Sequence, residues 1–334
     1  MVHQIDIDKK LEELGCTNEY NVTTNDFRPK SFDEFIGNKD AVNLIKLNLC
    51  GSLARGEIFP HTMLSAYSGC GKTTLAYIIA AHQKGTLIST GMPMNVEELH
   101  EILRKVEEGD VVLLDEVHLQ TQPELLYSLL EEGTYTLNAE TYTFPKFTFI
   151  GATTEIGEVK TPLRNRFPLS IQLARYSISD MEQIVRQCGK KSDIPITDEA
   201  VHMLATASNR IPREANSLVT NCLNMVAVLE ADKIGLEVVI DVLKLLKLTK
   251  DGLSLRHLVY LQTMRDIFDC GRTGVSAISA TLGENKKTIE LTVEPQLIQS
   301  KLVIKTPRGR QISESGLARL EDIDAQELLH QGGD

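Results

Sequence analysis

The 334-residue chain has no apolar run approaching the roughly 18 residues needed to cross a bilayer. Its opening stretch, Met1 to Lys10, is polar and mixed in charge, and lacks the apolar core of a secretory leader. These two absences make the cytoplasm the expected compartment. The six cysteines, Cys16, Cys50, Cys70, Cys188, Cys222 and Cys270, are scattered and never form a C-x-x-C pair, which argues against a zinc site or a disulfide framework. There is no internal repeat and no low-complexity segment. Basic residues are also scarce: 35 Lys and Arg face 46 Asp and Glu, for a net charge of −11. Taken whole, that balance argues against a nucleic-acid partner. Its distribution argues the other way. Residues 252–320 carry ten Lys/Arg and six Asp/Glu, whereas 321–334 carry five acids and no Lys or Arg. A basic module between an acidic body and an acidic tail is a weak pointer to nucleic acid. A solvated basic face explains the same charges equally well.

What is present is enough chain for two or three domains, with 42% hydrophobic residues to bury. Asp40 to Leu53 repeats apolar residues at helical spacing. Thr62 to Ser65, Val111 to Leu114 and Phe147 to Ile150 read as short buried strands, and Lys72 to about His82 as a helix. Apolar strands separated by helices predict a parallel sheet covered on both faces. After about Tyr176 the strand signals stop. Met181 to Cys188, Glu199 to Ala207, Arg213 to Leu229 and Glu237 to Leu246 then read as amphipathic helices, predicting an all-helical second domain. From Leu253, two or three helices precede a strand–turn–strand at Leu302 to Ile312, the pattern of a winged helix.

The strongest chemical signal is Ala66-Tyr67-Ser68-Gly69-Cys70-Gly71-Lys72-Thr73, between a strand and a helix. Glycines let successive backbone N–H groups turn inward around phosphates, and the following helix presents its positive end to them. Lys72 reaches the β- and γ-phosphates, and the Thr73 hydroxyl helps hold Mg²⁺. Gly69, Cys70, Gly71 and Thr74 complete the candidate nucleotide contacts. The usual first glycine is Ala66, a residue that keeps such a turn if its φ stays negative. The strand Leu113-Leu114 runs into Asp115-Glu116 and places two acids at the carboxyl edge of the sheet. Asp115 would bind Mg²⁺ through water, and Glu116 would polarise the attacking water as general base.

Several further segments are similar to those of the RuvB family of AAA+ branch-migration helicases. Arg28 to Gly37 resembles its N-terminal adenine-side segment, and Asp115-Glu116-Val117-His118 its D-E-I-H box. Phe147 to Thr154 resembles its sensor-1 strand, Thr161 to Phe167 its arginine-finger segment, and Pro212 to Asn216 its sensor-2 helix start. Glu294-Pro295-Gln296-Leu297-Ile298-Gln299 and Thr306-Pro307-Arg308-Gly309-Arg310 resemble its winged-helix signature. The resemblance runs over residues 27–320 and implies an α/β AAA+ ATPase domain over 27–176, a helical lid over 177–250 and a winged-helix DNA-binding domain over 251–320. Residues 1–26 are then a peripheral segment and 321–334 an acidic tail. It further implies roles. Thr154 is sensor 1, Arg166 the finger that reaches a neighbouring subunit's ATP, and Arg213 sensor 2. Arg28, Pro29, Phe35, Ile36 and Tyr176 surround the adenine. Arg308 and Arg310 flank a wing glycine and contact the DNA backbone. The implied cofactors are ATP and Mg²⁺, the implied assembly a ring, a hexamer, and the implied substrate a four-way junction or duplex DNA.

Three departures from the family pattern stand out. The P-loop prolines are replaced by Tyr67 and Ser68, and Leu119 follows His118 where the family has arginine. The hairpin expected over 134–144, with its turn at Asn138-Ala139-Glu140, is shorter than the family's RuvA-docking hairpin. Contact with a RuvA-type partner is therefore the family property most open to loss. Three rival readings remain: a non-motor switch of the clamp-loader kind, a nucleotide-sensing winged-helix regulator, and a catalytically weakened paralogue.

Overall fold

A computed structural model of the protein describes residues 27–137 and 140–331, in two compact units, Met1–Ile234 and Gly235–Asp334. The peripheral segment 1–26 and residues 332–334 of the acidic tail lie outside the described residues.

The first unit opens with α1 (Lys39–Ala54) and continues through β1 (Thr62–Ser65), α2 (Lys72–His82), β2 (Leu87–Thr90), α3 (Val96–Leu103) and β3 (Val111–Leu114). After two short 3₁₀ turns come α4 (Tyr127–Glu132), the hairpin β4 (Thr134–Leu137) and β5 (Glu140–Thr143), then β6 (Thr148–Thr153), α5 (Thr161–Arg164) and β7 (Leu169–Gln172). Five strands form one parallel sheet in the order β2-β3-β6-β1-β7. β1, β3 and β6 are buried at every residue, as a parallel sheet with both faces covered requires. β2 and β7 are the edge strands. They are only partly buried, and their sequences Leu-Ile-Ser-Thr and Leu-Ser-Ile-Gln offer no continuous apolar run for sequence reasoning to find. The registers Ser65↔Thr153 and Leu114↔Gly151 bring the carboxyl ends of β1, β6 and β3 side by side. The loops that follow these three strands build the site. At the other end of β6, the Nδ1 of His61 accepts the Phe149 N–H at 2.9 Å. Burial lowers the His61 pKa to about 4, which keeps the ring neutral for that acceptor role.

Three helices follow in the same unit: α6 (Ile178–Ser192), α7 (Asp198–Ala207) and α8 (Pro212–Leu229). α6 starts at a capping box. The Ser177 hydroxyl accepts the Asp180 N–H at 3.0 Å while the Asp180 carboxylate accepts the Ser177 N–H at 3.1 Å. α8 starts with Pro212, where a missing N–H leaves no donor unsatisfied. The division between units falls after Ile234, inside the helical stretch expected over 177–250, so α6 to α8 group with the sheet.

The second unit contains α9 (Leu236–Leu245), α10 (Leu255–Asp266), α11 (Val275–Leu282) and α12 (Lys286–Thr288). A π-helical turn (Ile289–Val293) joins α12 to α13 (Glu294–Gln299). The hairpin β8 (Val303–Thr306) and β9 (Gly309–Ile312) leads into α14 (Glu314–Gln331). α14 runs on into the stretch read from sequence as a separate tail. The core of this unit gathers Tyr260, Leu261, Met264, Ile278, Leu297 and Leu302 under the hairpin, a winged-helix arrangement.

Candidate nucleotide site and DNA-binding wing

The loop between β1 and α2 wraps a cleft of about 530 Å³. Gly71 caps α2 with a φ of +100°, a region that L side chains rarely enter, and a Cβ there would lie 3.0 Å from the Phe35 ring. The glycine thus serves both the turn and the close packing of the aromatic wall. Lys72 is buried, and its ammonium donates to the Ala66 carbonyl at 2.9 Å. Burial lowers its pKa, and the Glu116 and Asp115 carboxylates oppose that shift. Gly69, Gly71, Lys72, Thr73 and Thr74 all line the cleft. Cys70 does not. Its side chain is buried, and its carbonyl accepts the Tyr176 hydroxyl at 3.3 Å.

Asp115 and Glu116 face Lys72 across this cleft from the end of β3. Glu116 adopts left-handed backbone angles, φ 52° and ψ 50°, which carry a cost for a non-glycine residue. Thr154, at the end of β6, holds the carboxylate there: its N–H and its hydroxyl donate to Glu116 Oε2 at 3.0 and 2.9 Å. His118 adds a ring nitrogen 3.3 Å from the same oxygen and 3.0 Å from the Thr153 hydroxyl. Thr154 lies outside the cleft lining and reaches the site through Glu116.

The adenine-side residues Arg28, Pro29, Phe35, Ile36 and Tyr176 line the same cleft. Lys191 and Gln187 of α6 donate to the Arg28 and Glu34 carbonyls at 3.0 and 3.1 Å, tying this segment to the helical part of the unit. Arg213, at the start of α8, also lines the cleft and donates to the Ser68 hydroxyl at 3.2 Å. Arg166 does not line it. Its guanidinium lies 3.9 Å over the Tyr127 ring, its Nε is 3.1 Å from a Glu131 carboxylate oxygen, and Nη1 donates to the Pro162 carbonyl at 2.9 Å. Sequence reasoning missed part of the lining: Phe27, Ser68, Gln187, Asn216 and Thr220. Most of these are polar positions on helices, which by pattern alone read as solvent-facing.

The two wing arginines part company. Arg308 is exposed in the turn between β8 and β9. Arg310 is 8% exposed, and its guanidinium grips the 1%-exposed Glu294 with two hydrogen bonds, Nε to Oε1 at 2.7 Å and Nη2 to Oε2 at 3.1 Å. It also bonds Glu290, and Tyr260 donates to Glu294 at 3.2 Å. Arg310 therefore clamps the wing onto the helix behind it, in place of the DNA contact expected from sequence. Gly309 has a different purpose too. At φ +130°, its missing Cβ would sit 2.7 Å from the Thr273 carbonyl, so glycine is what lets β9 bridge to Thr273. Exposed Lys286 and Lys287 open α12 and were not singled out from sequence.

Comparison with known proteins agrees with this geometry. The model of the Holliday junction DNA helicase RuvB P-loop domain matches residues 27–173, and that of the RuvB C-terminal winged helix domain matches 250–321. The Holliday junction branch migration complex subunit RuvB of Thermotoga maritima is 33% identical over 306 residues, 88% of this chain and 92% of the relative. The chain belongs to the RuvB family. The RuvB subunit of Ligilactobacillus salivarius is likewise 33% identical, over 86% of this chain and 89% of its own length. The solved Thermotoga maritima RuvB Holliday junction branch migration motor superimposes with a TM-score of 0.79 at 33% identity, covering 89% of this chain and 99% of that one. Against this RuvB background, β4 and β5 are only four residues each and pair with Leu137 opposite Glu140. Of the turn expected at Asn138-Ala139-Glu140, Glu140 belongs to β5, and Asn138 and Ala139 lie outside the described residues.

Proposed function

We propose that this protein is an ATP-hydrolysing motor that drives branch migration of Holliday junctions during recombination and repair. The observation that carries this reading is one cleft that gathers Lys72, Thr73, Asp115 and Glu116, with the sensor threonine Thr154 bonded to Glu116, in a chain that also ends in a RuvB winged helix. The phosphates of ATP would take Lys72 from the Ala66 carbonyl. Glu116, oriented through one oxygen by Thr154, accepts the proton of the attacking water with the other. Thr73 and Asp115 would hold Mg²⁺, which supplies charge neutralisation of the phosphates. Among the described residues no cluster of three or more His, Cys, Asp or Glu could hold a metal. That fits an ion bound largely by nucleotide and water rather than by a protein cage.

Arg166 is held away from its own cleft, which supports a role at a neighbour's ATP and hence a ring, a hexamer in this reading. Arg308, with Lys286 and Lys287, supplies sequence-independent phosphate contacts suited to a tracking motor. The compartment inferred for such a motor is the cytoplasm. The direct test is ATP turnover with and without duplex or junction DNA. A clear rise on adding DNA supports a motor, whereas sequence-specific duplex binding with unchanged turnover supports the regulator.

The wing gives a separable prediction. Arg308→Ala should weaken binding to all DNA sequences alike and reduce the log–log salt slope by about 0.9, with stability unchanged. Arg310→Ala should instead leave the buried Glu294 with only the Tyr260 hydroxyl and the longer 3.6 Å contact to Lys305, and cost up to about 3–5 kcal/mol in chemical denaturation. An Arg310→Ala protein of normal stability with a reduced salt slope would return that residue to the DNA.

The short hairpin leads to a partner expectation. A shorter hairpin that lacked two large apolar anchors would forfeit roughly 1.5–3 kcal/mol for each, enough to take a micromolar contact beyond ordinary detection. A bacterial RuvA third domain should therefore give little heat when titrated into the protein by calorimetry. Micromolar binding that Leu137→Ala abolishes would show that the docking mode survives.

A further inference from the structure

The phosphate loop is held from outside at four successive residues, and one of the holders has no part in the nucleotide scheme above. Arg175 and Tyr176 follow the last strand of the sheet. Their segment is fixed by Asn38, whose side chain accepts the Ala174 N–H at 2.7 Å and donates to the Ala174 carbonyl at 3.2 Å. From there the two side chains reach opposite ends of the loop. The Tyr176 hydroxyl bonds the Cys70 carbonyl, while the Arg175 guanidinium lies 4.1 Å from the centre of the Tyr67 ring, over its face. Between them, Arg213 bonds the Ser68 hydroxyl with its side chain and the Gly69 carbonyl with its backbone N–H, at 3.2 and 3.4 Å.

The Arg175 contact comes at a cost. Its Nε is enclosed with no hydrogen-bond partner among the described residues, a donor that would be hydrated on an open surface. Burial lowers the arginine's pKa, and Tyr67 opposes that shift. An arginine half-buried at such a cost against one exposed tyrosine is not an ordinary surface residue. By the resemblance drawn from the sequence, Tyr67 and Ser68 stand at positions that are prolines in the RuvB pattern. A proline ring fixes φ and narrows the conformations open to a loop. With Tyr67 and Ser68 in their place, the loop has that freedom back and must be held by contacts.

We propose that Arg175 is a positioning residue of the nucleotide site: by stacking on Tyr67 it holds the phosphate loop in its binding shape and sets nucleotide affinity. It substitutes a tertiary brace for the loop prolines of the family. The inference rests on the reading of this cleft as an ATP site, and the controls below separate the two.

The experiment uses the full chain, with a fluorescent ADP titration for affinity and turnover at saturating ATP for kcat. Arg175→Ala should weaken ADP binding by about 5- to 20-fold, the range open to a partly desolvated cation–π contact. Its kcat at saturation should stay within about twofold of the parent, in keeping with lost ground-state positioning. Arg175→Lys keeps the charge but lacks the planar fork, and should behave as the alanine variant does. Tyr67→Phe keeps the ring and should keep the affinity. Tyr67→Ala should match Arg175→Ala, and the double variant should be no worse than either single change. Tyr67→Pro in the Arg175→Ala background should restore affinity by stiffening the loop covalently. Parent-like ADP binding in Arg175→Ala, additive losses in the double variant, or no rescue by Tyr67→Pro would each overturn the proposal. If the parent itself fails to bind ADP, or Lys72→Ala binds as well as the parent, the nucleotide reading falls and takes this inference with it.

Discussion

Glu116→Gln is expected to cut steady-state ATP turnover by roughly 10²- to 10⁴-fold, the contribution of a positioned general base. Nucleotide binding should change little. The reason lies in how the side chain is held. Glu116 Oε2 accepts from the Thr154 N–H and hydroxyl, and a glutamine carbonyl oxygen can accept both bonds, each weaker for the loss of charge. Position is then retained and only the capacity to take a proton is removed. The left-handed backbone at residue 116 is likewise unaffected, because the substitution keeps the same stem. Phosphate release measured beside an ADP titration checks both halves. Turnover within a few fold of the parent would remove Glu116 from the chemistry.

Arg166→Ala is expected to lower turnover by about 10³-fold or more if the residue stabilises charge on a neighbour's γ-phosphate. ATP binding should persist, because Arg166 does not line the cleft of its own subunit. The contacts it makes within the chain, over Tyr127 and beside Glu131, are partly exposed and give no reason for a catalytic loss of that size. A mixing experiment separates the readings. Arg166→Ala subunits combined with Lys72→Ala subunits create some interfaces that pair an intact phosphate loop with an intact finger. Turnover should recover partly on mixing. No recovery at any ratio would make Arg166 a structural residue or one that acts within its own subunit.

How much of this is legible in the sequence depends on what forces each residue. β1, β3 and β6 are plain as apolar runs because both faces of a central parallel strand are buried, while edge strands β2 and β7 tolerate Ser, Thr and Gln and pass for loop. Lys72, Thr73, Asp115 and Glu116 can be named from chain order because phosphate chemistry admits few substitutes. Gln187, Asn216 and Thr220 cannot, since a polar residue on a helix facing a ligand looks like one facing water. The wing shows a different limit. Its two arginines are one residue apart from the same glycine, and nothing local tells them apart. Only the fold reveals that Glu294, sixteen positions before Arg310, waits buried for one of them. The unit boundary after Ile234 is similarly invisible, because α8 and α9 carry the same amphipathic pattern on either side of it.

The central claim, a RuvB-type motor powered by this cleft, is tested most directly by branch migration of a synthetic four-way junction with labelled arms, run with ATP and Mg²⁺, with and without a RuvA-type partner. The account predicts ATP-dependent conversion of the junction to duplex products by the parent protein, and none by Glu116→Gln despite normal DNA binding. Conversion that proceeds equally without ATP or with Glu116→Gln, or an active DNA-stimulated ATPase that leaves the junction intact under both conditions, would contradict it.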